Sequence, residues 1–422
     1  MTHYLLPRTY LYTYKQLQYT PCKSGESPPL FISQSLAHYL YGIKEKIDEH
    51  DKLWDIYKKY TNPYEYIHTS IPFKKKCIAK HKPLSRSYFK MLEICNIFAL
   101  LDEYDVNKIP IKTFHLAEGP GGFIEAIARM RNHTDDIYVG MTLQDSDPNV
   151  PAWKKTTDFL TEFPNVKIEN GADGTGNILS IDNYDYIVEN YGDIDIITAD
   201  GGFDFSMDFN QQETFIAKLL YAQTAYALSI QKQKGVFVLK TFDIFMRHTV
   251  DILYLLSSFY EEVYIVKPQT SRYANSEKYI VCIGFLFDRN TEKDYLQYLR
   301  KTMEDMLANE CNSFSFIRDV PSYLFLQKME EYNAIFGQKQ MQNIYNTMIL
   351  MESKHKYDKI DTLIKMNVKK CIEWCVKYNV PYIFTSISKN IFVQNSFLQN
   401  SNNTLGATGT GTANDTSTPD DK

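Results

Sequence analysis

Three ionisable residues occupy matching positions at the ends of apolar runs. Asp200 closes the run IDIITAD, Lys240 closes GVFVLK, and Glu277 stands just before KYIVCIGF. If these runs are neighbouring strands and the third is antiparallel to the others, the three side chains lie at one edge of one sheet. A lysine held among carboxylates can exchange protons with a substrate, because burial favours its neutral amine. The ordinary alternatives are that Asp200 caps a helix or marks a turn and that Lys240 extends to solvent.

A glycine-rich turn is predicted at the same edge. The segment FHLAEGPGGFIEAI reads as a strand, a turn from Gly119 to Gly122, and the start of a helix. Glycines let the backbone approach a ligand closely, and a helix N-terminus offers free N–H groups. Ile124 stands where a dinucleotide-binding turn would have its third glycine, which disfavours a nicotinamide or flavin cofactor. A tight turn without a ligand is the alternative.

The elements that position these residues follow an α/β pattern. Short apolar runs alternate with helical patterns, which predicts an open sheet with crossover helices. The predicted strands are Lys112 to Ala117, Ile137 to Met141, Val166 to Glu169, Ile194 to Asp200, Gly235 to Lys240, Val263 to Lys267 and Lys278 to Phe287. The predicted helices are Gly122 to Arg131, Ile181 to Tyr191, Gln211 to Gln231 and Phe245 to Tyr260. Only Pro268 to Glu277 separates the last two strands, too short a link for a crossover helix, so the seventh strand is expected to be antiparallel.

The segments on either side of this pattern differ in character. Residues 1–84 are interpreted as an N-terminal extension with one helix from Ser33 to Tyr60. Ser85 to Leu101 is a further helical pattern that carries Lys90, a residue that by itself could simply occupy a polar helix face. Residues 291–394 are predicted to be a helical C-terminal region. Residues 395–422 are rich in Asn, Thr, Gly and Ser, and we predict that this tail is disordered.

Composition limits the class of protein. The chain has 422 residues, of which 44% are hydrophobic and 14% aromatic, enough for a large core in one main domain with appendages, or in two domains. A net charge of -5 argues against attraction of the whole molecule to nucleic acid. No apolar run approaches the about 20 residues of a membrane helix, and no secretory signal is evident. The seven cysteines lack paired spacing, which favours reduced thiols in a soluble cytoplasmic or nuclear protein, or a virion or host-cytoplasmic one if the chain is viral.

One segment of the chain is strongly basic, although the net charge of the whole chain is negative. Residues 71–90 contain no Asp or Glu, and their basic residues are Lys74, Lys75, Lys76, Lys80, Lys82, Arg86 and Lys90. The aromatic residues near and within the segment are Tyr64, Tyr66, Phe73, Tyr88 and Phe89. Basic groups neutralise phosphates and aromatic faces stack on bases, so the segment could hold single-stranded nucleic acid. Its alternative is a solvated lysine-rich loop.

Six segments in one order carry a family resemblance. They are SRSYFKM, LAEGPGGF, GMTL, ADGGFD, LKTFDIF and KPQTSRYANSEKYIVC, all between Ser85 and Phe287. Together they resemble the FtsJ-like 2'-O-ribose methyltransferases, especially the Adrift-type branch of eukaryotes and large DNA viruses that is specific for mRNA caps. The resemblance implies a Rossmann-like, S-adenosylmethionine-dependent methyltransferase fold over residues 85–290, with a seven-stranded sheet that has one antiparallel strand.

The resemblance also implies roles for individual residues. The catalytic tetrad of the family falls on Lys90, Asp200, Lys240 and Glu277, with Lys240 acting as base on a ribose 2'-hydroxyl and the other three orienting it, without a metal. The implied cofactor-binding residues are Glu118, Gly119, Pro120, Gly121, Gly122, Phe123, Asn177 and Asp200. Two positions depart from the family pattern, since Asn177 stands where an acidic residue is frequent and Ser85 where Asn is frequent.

The resemblance finally implies a substrate and partners. The expected substrate is the capped 5' end of mRNA, and other capping or transcription proteins are possible partners. Methylation of ribosomal or other internal RNA is the alternative within the same enzyme class. A non-catalytic RNA-binding scaffold of the same fold is an alternative of a different class.

Overall fold

The computed structural model describes residues 3–49, 51–72, 74–145, 152–202, 209–289, 291–353 and 357–383. The elements below all belong to one compact unit that ends at Tyr382. The tail predicted to be disordered, residues 395–422, lies outside the described residues. None of the described helices is long and apolar enough to cross a membrane.

The described residues form strands and helices in alternation. The strands are β1 (His3–Leu5), β2 (Leu17–Pro21), β3 (Lys112–Leu116), β4 (Ile137–Met141), β5 (Val166–Glu169), β6 (Ile194–Ala199), β7 (Gln231–Thr241), β8 (Tyr260–Val266), β9 (Lys278–Phe285) and β10 (Ser313–Ile317). The helices are α1 (Gln34–Asp48), α2 (Asp51–Thr61), α3 (Ser87–Phe98), α4 (Asp102–Asn107), α5 (Gly122–Arg131), α6 (Thr157–Glu162), α7 (Ile181–Asn190), α8 (Gln212–Ile230), α9 (Arg247–Phe259), α10 (Asp294–Leu307), α11 (Tyr323–Glu352) and α12 (Tyr357–Lys377).

The main sheet contains the seven predicted strands and one more. Its order is β1-β8-β9-β7-β6-β3-β4-β5, and β9 is antiparallel to both β7 and β8, as predicted from the short link before it. The seven strands predicted for residues 85–290 are confirmed, and the N-terminal extension adds an eighth, because β1 pairs antiparallel with β8 and covers its edge. A three-residue strand is too short to show periodicity, and covering an edge strand protects it from pairing with other chains.

The flanking segments also differ from the sequence prediction. The single helix predicted from Ser33 to Tyr60 is two helices, α1 and α2, separated where the sequence reads DEHD, a run of residues with low helix propensity apart from its glutamate. The C-terminal region is mainly helical, but β10 pairs antiparallel with β2 in a separate two-stranded sheet. The alternation in SFSFI was the signal for this strand.

Helices cover both faces of the main sheet. Alternate strand residues such as Leu116 and Leu239 pack with α8 and α9 on one face, and Val238 and Val281 pack with α3 and α5 on the other. Because both faces are covered, the strands need apolar residues at successive positions, which explains why they appear as continuous apolar runs. The polar residues that end these strands are therefore confined to the sheet edge.

Candidate active site

Strand register brings three of the predicted residues to one edge. Ala199, the last residue of β6, pairs with Leu239 of β7, so Asp200 and Lys240 follow at the same level. Lys240 pairs with Tyr279 of the antiparallel strand β9, and Glu277 directly precedes that strand. Because β6 and β7 are parallel and β9 is antiparallel to them, the ends of β6 and β7 and the start of β9 lie at the same edge of the sheet.

Two ion pairs occupy this edge. The Lys240 Nζ lies 3.0 Å from Asp200 Oδ1 and also donates to the Asp200 backbone carbonyl. The Lys90 Nζ, contributed by α3, lies 2.7 Å from the Glu277 carboxylate. The Tyr279 hydroxyl stands between the pairs, 3.5 Å from Asp200 Oδ1. The structure thus brings together all four residues of the predicted tetrad, including Lys90, whose position the local sequence did not indicate.

Burial and neighbouring charges set the ionisation of the Lys90–Glu277 pair. Burial lowers the pKa of the Lys90 ammonium, although the Glu277 carboxylate opposes this shift. Burial alone would raise the pKa of Glu277, but the positive charges of Lys90, Arg86 and Lys240 outweigh it and hold that pKa well below the usual value of 4.5. Ser271 Oγ donates a further hydrogen bond of 2.9 Å to Glu277. Glu277 is therefore an anion at neutral pH.

The structure adds residues that sequence reasoning missed. Lys267 Nζ donates to the Glu277 backbone carbonyl at 2.7 Å, and Arg86 lies one helical turn before Lys90. Lys267 follows the apolar run VYIV, so it shows the same pattern that singled out Lys240. Tyr279 lies two positions after Glu277, on the same side of the strand, which was the available signal for it.

The glycine turn is tightly packed at the start of α5. A Cβ atom added at Gly122 would lie 2.0 Å from Ser87 Oγ, and one added at Gly119 would lie 3.0 Å from the Ala152 backbone nitrogen. Glu118 Oε1 accepts hydrogen bonds from the backbone N–H groups of Phe123 at 2.6 Å and Ile124 at 3.0 Å. The side chain of Phe123 is fully buried, so this predicted cofactor-binding residue contributes packing at the turn.

Two buried polar atoms near this turn have no partner within the described residues. They are Glu118 Oε2 and the indole nitrogen of Trp153, whose ring lies 3.4 Å from where a Cβ atom of Gly121 would be. A buried polar atom without a partner is costly, and a bound polar ligand would satisfy it. The turn therefore fits the predicted role of holding a polar cofactor. No cluster of metal-ligating side chains exists among the residues that the structure describes.

Asn177, the residue predicted to contact the adenine, lies in the loop after β5. Its Oδ1 accepts a hydrogen bond from Leu179 N at 2.9 Å, while Asp173 Oδ1 accepts from both the backbone and the side chain of Thr175. A Cβ atom at Gly176 would lie 2.0 Å from the Thr142 carbonyl, so this loop packs against the end of β4. The structure thus brings Asn177 to the carboxyl end of the parallel strands, next to the glycine turn.

The basic segment is only partly as predicted. Lys74, Lys75, Lys76, Lys80 and Lys82 are exposed. Tyr66, Tyr88 and Phe89 are buried in the core that packs on α3, so they cannot stack on bases, and Phe73 lies outside the described residues. The lysines can therefore contact phosphates, whereas the predicted role of these aromatic rings in base stacking was wrong.

Glu118 gives a prediction about charge. Burial, and then the neighbouring Asp200, raises the pKa of Glu118 well above its usual 4.5, which favours the neutral acid in the folded protein. We expect Glu118→Gln to change the free energy of unfolding by less than about 1 kcal/mol, because an amide oxygen can accept the same two hydrogen bonds. Glu118→Ala should lower it by about 2 kcal/mol, since two buried N–H groups lose their acceptor. Urea denaturation at pH 7 measures both, and equal losses would show that the charge is needed.

Glu213 anchors the loop that follows Lys240. Its carboxyl group accepts hydrogen bonds from Phe245 N at 2.9 Å and Met246 N at 2.8 Å. Burial, opposed by these N–H groups and helped by Asp243, raises the pKa of Glu213 from 4.5 to about 7. In the unfolded chain the Glu213 carboxyl group loses its proton near pH 4.5, whereas in the folded chain it does so only near pH 7. The free energy of unfolding therefore decreases as the pH rises from 4.5 to 7.

We therefore expect a specific pH dependence. Between pH 4.5 and 7.5 the wild type should lose about 3 kcal/mol more unfolding free energy than Glu213→Gln, whose amide does not titrate. Chemical denaturation at several pH values measures the difference. Parallel pH profiles for the two proteins would contradict a raised pKa at Glu213.

Comparison with known proteins places the site in a family. Residues 83–285 match the model of the FtsJ-like methyltransferases. A cap-specific mRNA (nucleoside-2'-O-)-methyltransferase 2 of Danio rerio is 28% identical over 326 residues, which cover 75% of this chain and 43% of the relative. A cap-specific mRNA (nucleoside-2'-O-)-methyltransferase 1 of Trypanosoma brucei brucei is 30% identical over 258 residues, covering 57% of this chain and 65% of the relative. The cap-specific mRNA (nucleoside-2'-O-)-methyltransferase 1 of Homo sapiens is 36% identical over 189 residues, which cover 42% of this chain and 22% of the relative.

The matches differ in how much of each protein they include. The aligned part of the chain spans between about a fifth and two thirds of these relatives. The family match includes the helix that carries Lys90, the glycine turn, and the strands that place Asp200, Lys240 and Glu277. Residues 83–285 of this chain therefore form an FtsJ-like methyltransferase domain.

Proposed function

We propose that this chain is a cap-specific mRNA 2'-O-ribose methyltransferase that uses S-adenosylmethionine. The observation that carries the proposal is the pair of adjoining ion pairs, Lys240 with Asp200 and Lys90 with Glu277, at the sheet edge beside the glycine turn. The names of the relatives, which specify cap-specific mRNA (nucleoside-2'-O-)-methyltransferases, support the choice of substrate.

The chemistry assigned to the site is alignment and deprotonation. The bound cofactor supplies an electrophilic methyl group on a sulfonium. Lys240, in its neutral form, would accept the proton of the ribose 2'-hydroxyl, and the oxygen so activated would receive the methyl group that the cofactor supplies. Asp200 fixes the Lys240 amine through the 3.0 Å contact, and the Lys90–Glu277 pair beside it supplies fixed charges that orient the hydroxyl.

The glycine turn is proposed to hold the cofactor. Gly119 to Gly122 bring the backbone close to the ligand, and Glu118 and Asn177 offer polar groups to it. The fully buried Glu118 Oε2 would gain its missing hydrogen-bond partner in the complex. The exposed lysines of the basic segment are proposed to neutralise RNA phosphates, and other capping or transcription proteins are proposed partners.

Methyl transfer to matched RNAs tests the proposal. Transcripts of one sequence with and without a 5' cap are incubated with the protein and methyl-labelled cofactor, then digested with nuclease to identify the labelled nucleotide. We expect a label on a cap-proximal ribose of the capped transcript only. Equal labelling of both transcripts would favour internal RNA as the substrate. Absence of label together with absence of cofactor binding in calorimetry would favour a non-catalytic scaffold.

A further inference from the structure

A cavity lies between the β8–β9 loop and α11, beside the tetrad but not formed by it. Its volume is about 450 Å³, enough for a small organic ligand. Its lining residues are Lys267, Gln269, Tyr273, Asn275, Lys278, Phe336, Lys339, Gln340, Gln342, Asn343 and Asn346. Six of these eleven residues belong to α11, which lies beyond the FtsJ-like domain at residues 83–285.

One face of α11 packs against the β8–β9 loop. Phe336, Gln340 and Asn343 recur at the spacing of successive helical turns, so they share this face. Gln340 is buried and its Nε2 donates to the Ala274 carbonyl at 3.0 Å and to Ser276 Oγ at 3.3 Å. These bonds fix the helix to the loop that carries Glu277, so the cavity has a defined shape.

The wall of the cavity is rich in lysine. Three lysines line it, Lys267, Lys278 and Lys339, and no carboxylate does. Lys267 Nζ donates to the Asn275 carbonyl at 2.7 Å and to the Glu277 carbonyl at 2.7 Å, and within the described residues no carboxylate lies at ion-pair distance from it. Lys267 Nζ also donates to Asn275 Oδ1 at 2.9 Å, so its three hydrogens are already bonded, and burial lowers the pKa of this group well below its usual value. Lys339 is exposed, so it is the lysine of the wall that can reach an anionic ligand from the open side.

The remaining lining groups suit a heteroaromatic ring. Gln342 and Asn346 are exposed, and neither side chain makes a hydrogen bond within the part of the chain that the structure describes. An amide can donate to and accept from one base edge at the same time. Tyr273 and Phe336 supply aromatic surface in the same wall. Amides, aromatic rings and cations together are how proteins hold an unstacked nucleotide.

The cavity is adjacent to the reacting centre. Asn275 and Glu277 are two residues apart, so their Cα atoms lie within about 7 Å. Lys267 touches both, and the Glu277 carboxylate pairs with Lys90. A nucleotide in the cavity would therefore be a close neighbour of the ribose at the tetrad.

We propose that this cavity binds one nucleotide of the substrate RNA, with the amides of α11 contacting the base and Lys339 contacting its phosphate. The proposal rests on the proposed function, since it places this nucleotide next to the methylated ribose. It makes α11 part of the substrate site, although the helix lies outside the methyltransferase domain. The nucleotide is either the 5'-terminal one or one that follows the methylated ribose.

A double variant on the open side of the cavity tests the proposal. Gln342→Ala with Asn346→Ala removes two amides whose side chains make no bond in the described structure. Gln327→Ala is the matched control, an exposed amide on the same helix that does not line the cavity and lies about 22 Å away along the helix axis. The substrates are three RNAs of one sequence with a 5' cap, a 5' triphosphate or a 5' hydroxyl.

The kinetic parameters separate the outcomes. We expect the double variant to raise KM for the best substrate about tenfold, because two neutral hydrogen bonds to the RNA are lost. Its kcat, cofactor affinity and melting temperature should not change, and the control variant should behave like the wild type. A rise confined to capped RNA assigns the cavity to the terminal nucleotide, and an equal rise on all three assigns it to a downstream one. An unchanged KM on every RNA overturns the proposal while leaving the proposed function intact.

Direct binding separates the two proposals. Fluorescence anisotropy with the same three RNAs measures affinity without catalysis. If the wild type transfers no methyl but the double variant still binds RNA about tenfold more weakly than wild type, the proposed function fails and the nucleotide site stands. Equal RNA affinity of the two proteins overturns the site by an independent route.

Discussion

The Lys240→Met variant is expected to lose a factor of about 10² to 10⁴ in kcat, the usual contribution of a positioned general base. In the wild type the Lys240 Nζ lies 3.0 Å from Asp200 Oδ1, and it is the basic atom beside which the 2'-hydroxyl is proposed to bind. Methionine fills a similar volume and cannot accept the proton. Cofactor affinity should remain within about twofold, because the glycine turn that is proposed to hold the cofactor is not altered.

A lysine on the same strand provides the control. Lys234 lies in β7 as well, about 20 Å from Lys240 along the strand, and pairs with Glu261 on the surface. Lys234→Met makes the same chemical change outside the site and should keep full activity. Single-turnover kinetics with saturating cofactor measure the chemical step. If Lys240→Met and Lys234→Met transfer methyl at the same rate, Lys240 is not the base.

The sequence predicted the site where local pattern and chain direction determine position. The apolar runs that end in Asp200 and Lys240 are strands because both of their faces are covered, and their ends coincide because β6 and β7 are parallel. The short link before Glu277 implied an antiparallel strand, and that direction carries Glu277 to the same edge. The apolar runs and the lengths of their connections therefore predicted both the strands and the position of these three residues at the sheet edge.

The parts that could not be predicted depend on contacts between distant segments. Lys90 meets Glu277 across 187 residues of sequence, and helical periodicity gives no information about such a contact. The packing of α11 on the β8–β9 loop, through Gln340 and the Ala274 carbonyl, is equally remote in sequence. The prediction that aromatic residues of the basic segment stack on bases is wrong for Tyr66, which is fully buried, because a sequence does not distinguish a buried ring from an exposed one.

The Lys90–Glu277 pair is expected to show strong energetic coupling. Both side chains are nearly buried, with exposed fractions of 5% and 10%, so removing one partner leaves an uncompensated charge. We expect Lys90→Met and Glu277→Gln each to lower the free energy of unfolding by about 3 kcal/mol at pH 7. Combining the two substitutions should cost clearly less than the sum of the single effects, because neither charge is then left alone.

Chemical denaturation of the wild type, both single variants and the double variant gives this coupling free energy. Because the pKa of Glu277 lies below its usual 4.5, the stability that this carboxylate contributes is complete at pH 7 and is lost as the pH falls below 4.5. The coupling free energy should therefore decrease as the pH is lowered below 4.5. Additive losses would show that the two charges are stabilised by other groups. A stable double variant without methyl transfer would show that the pair also acts in catalysis, since its effect on folding has then been removed.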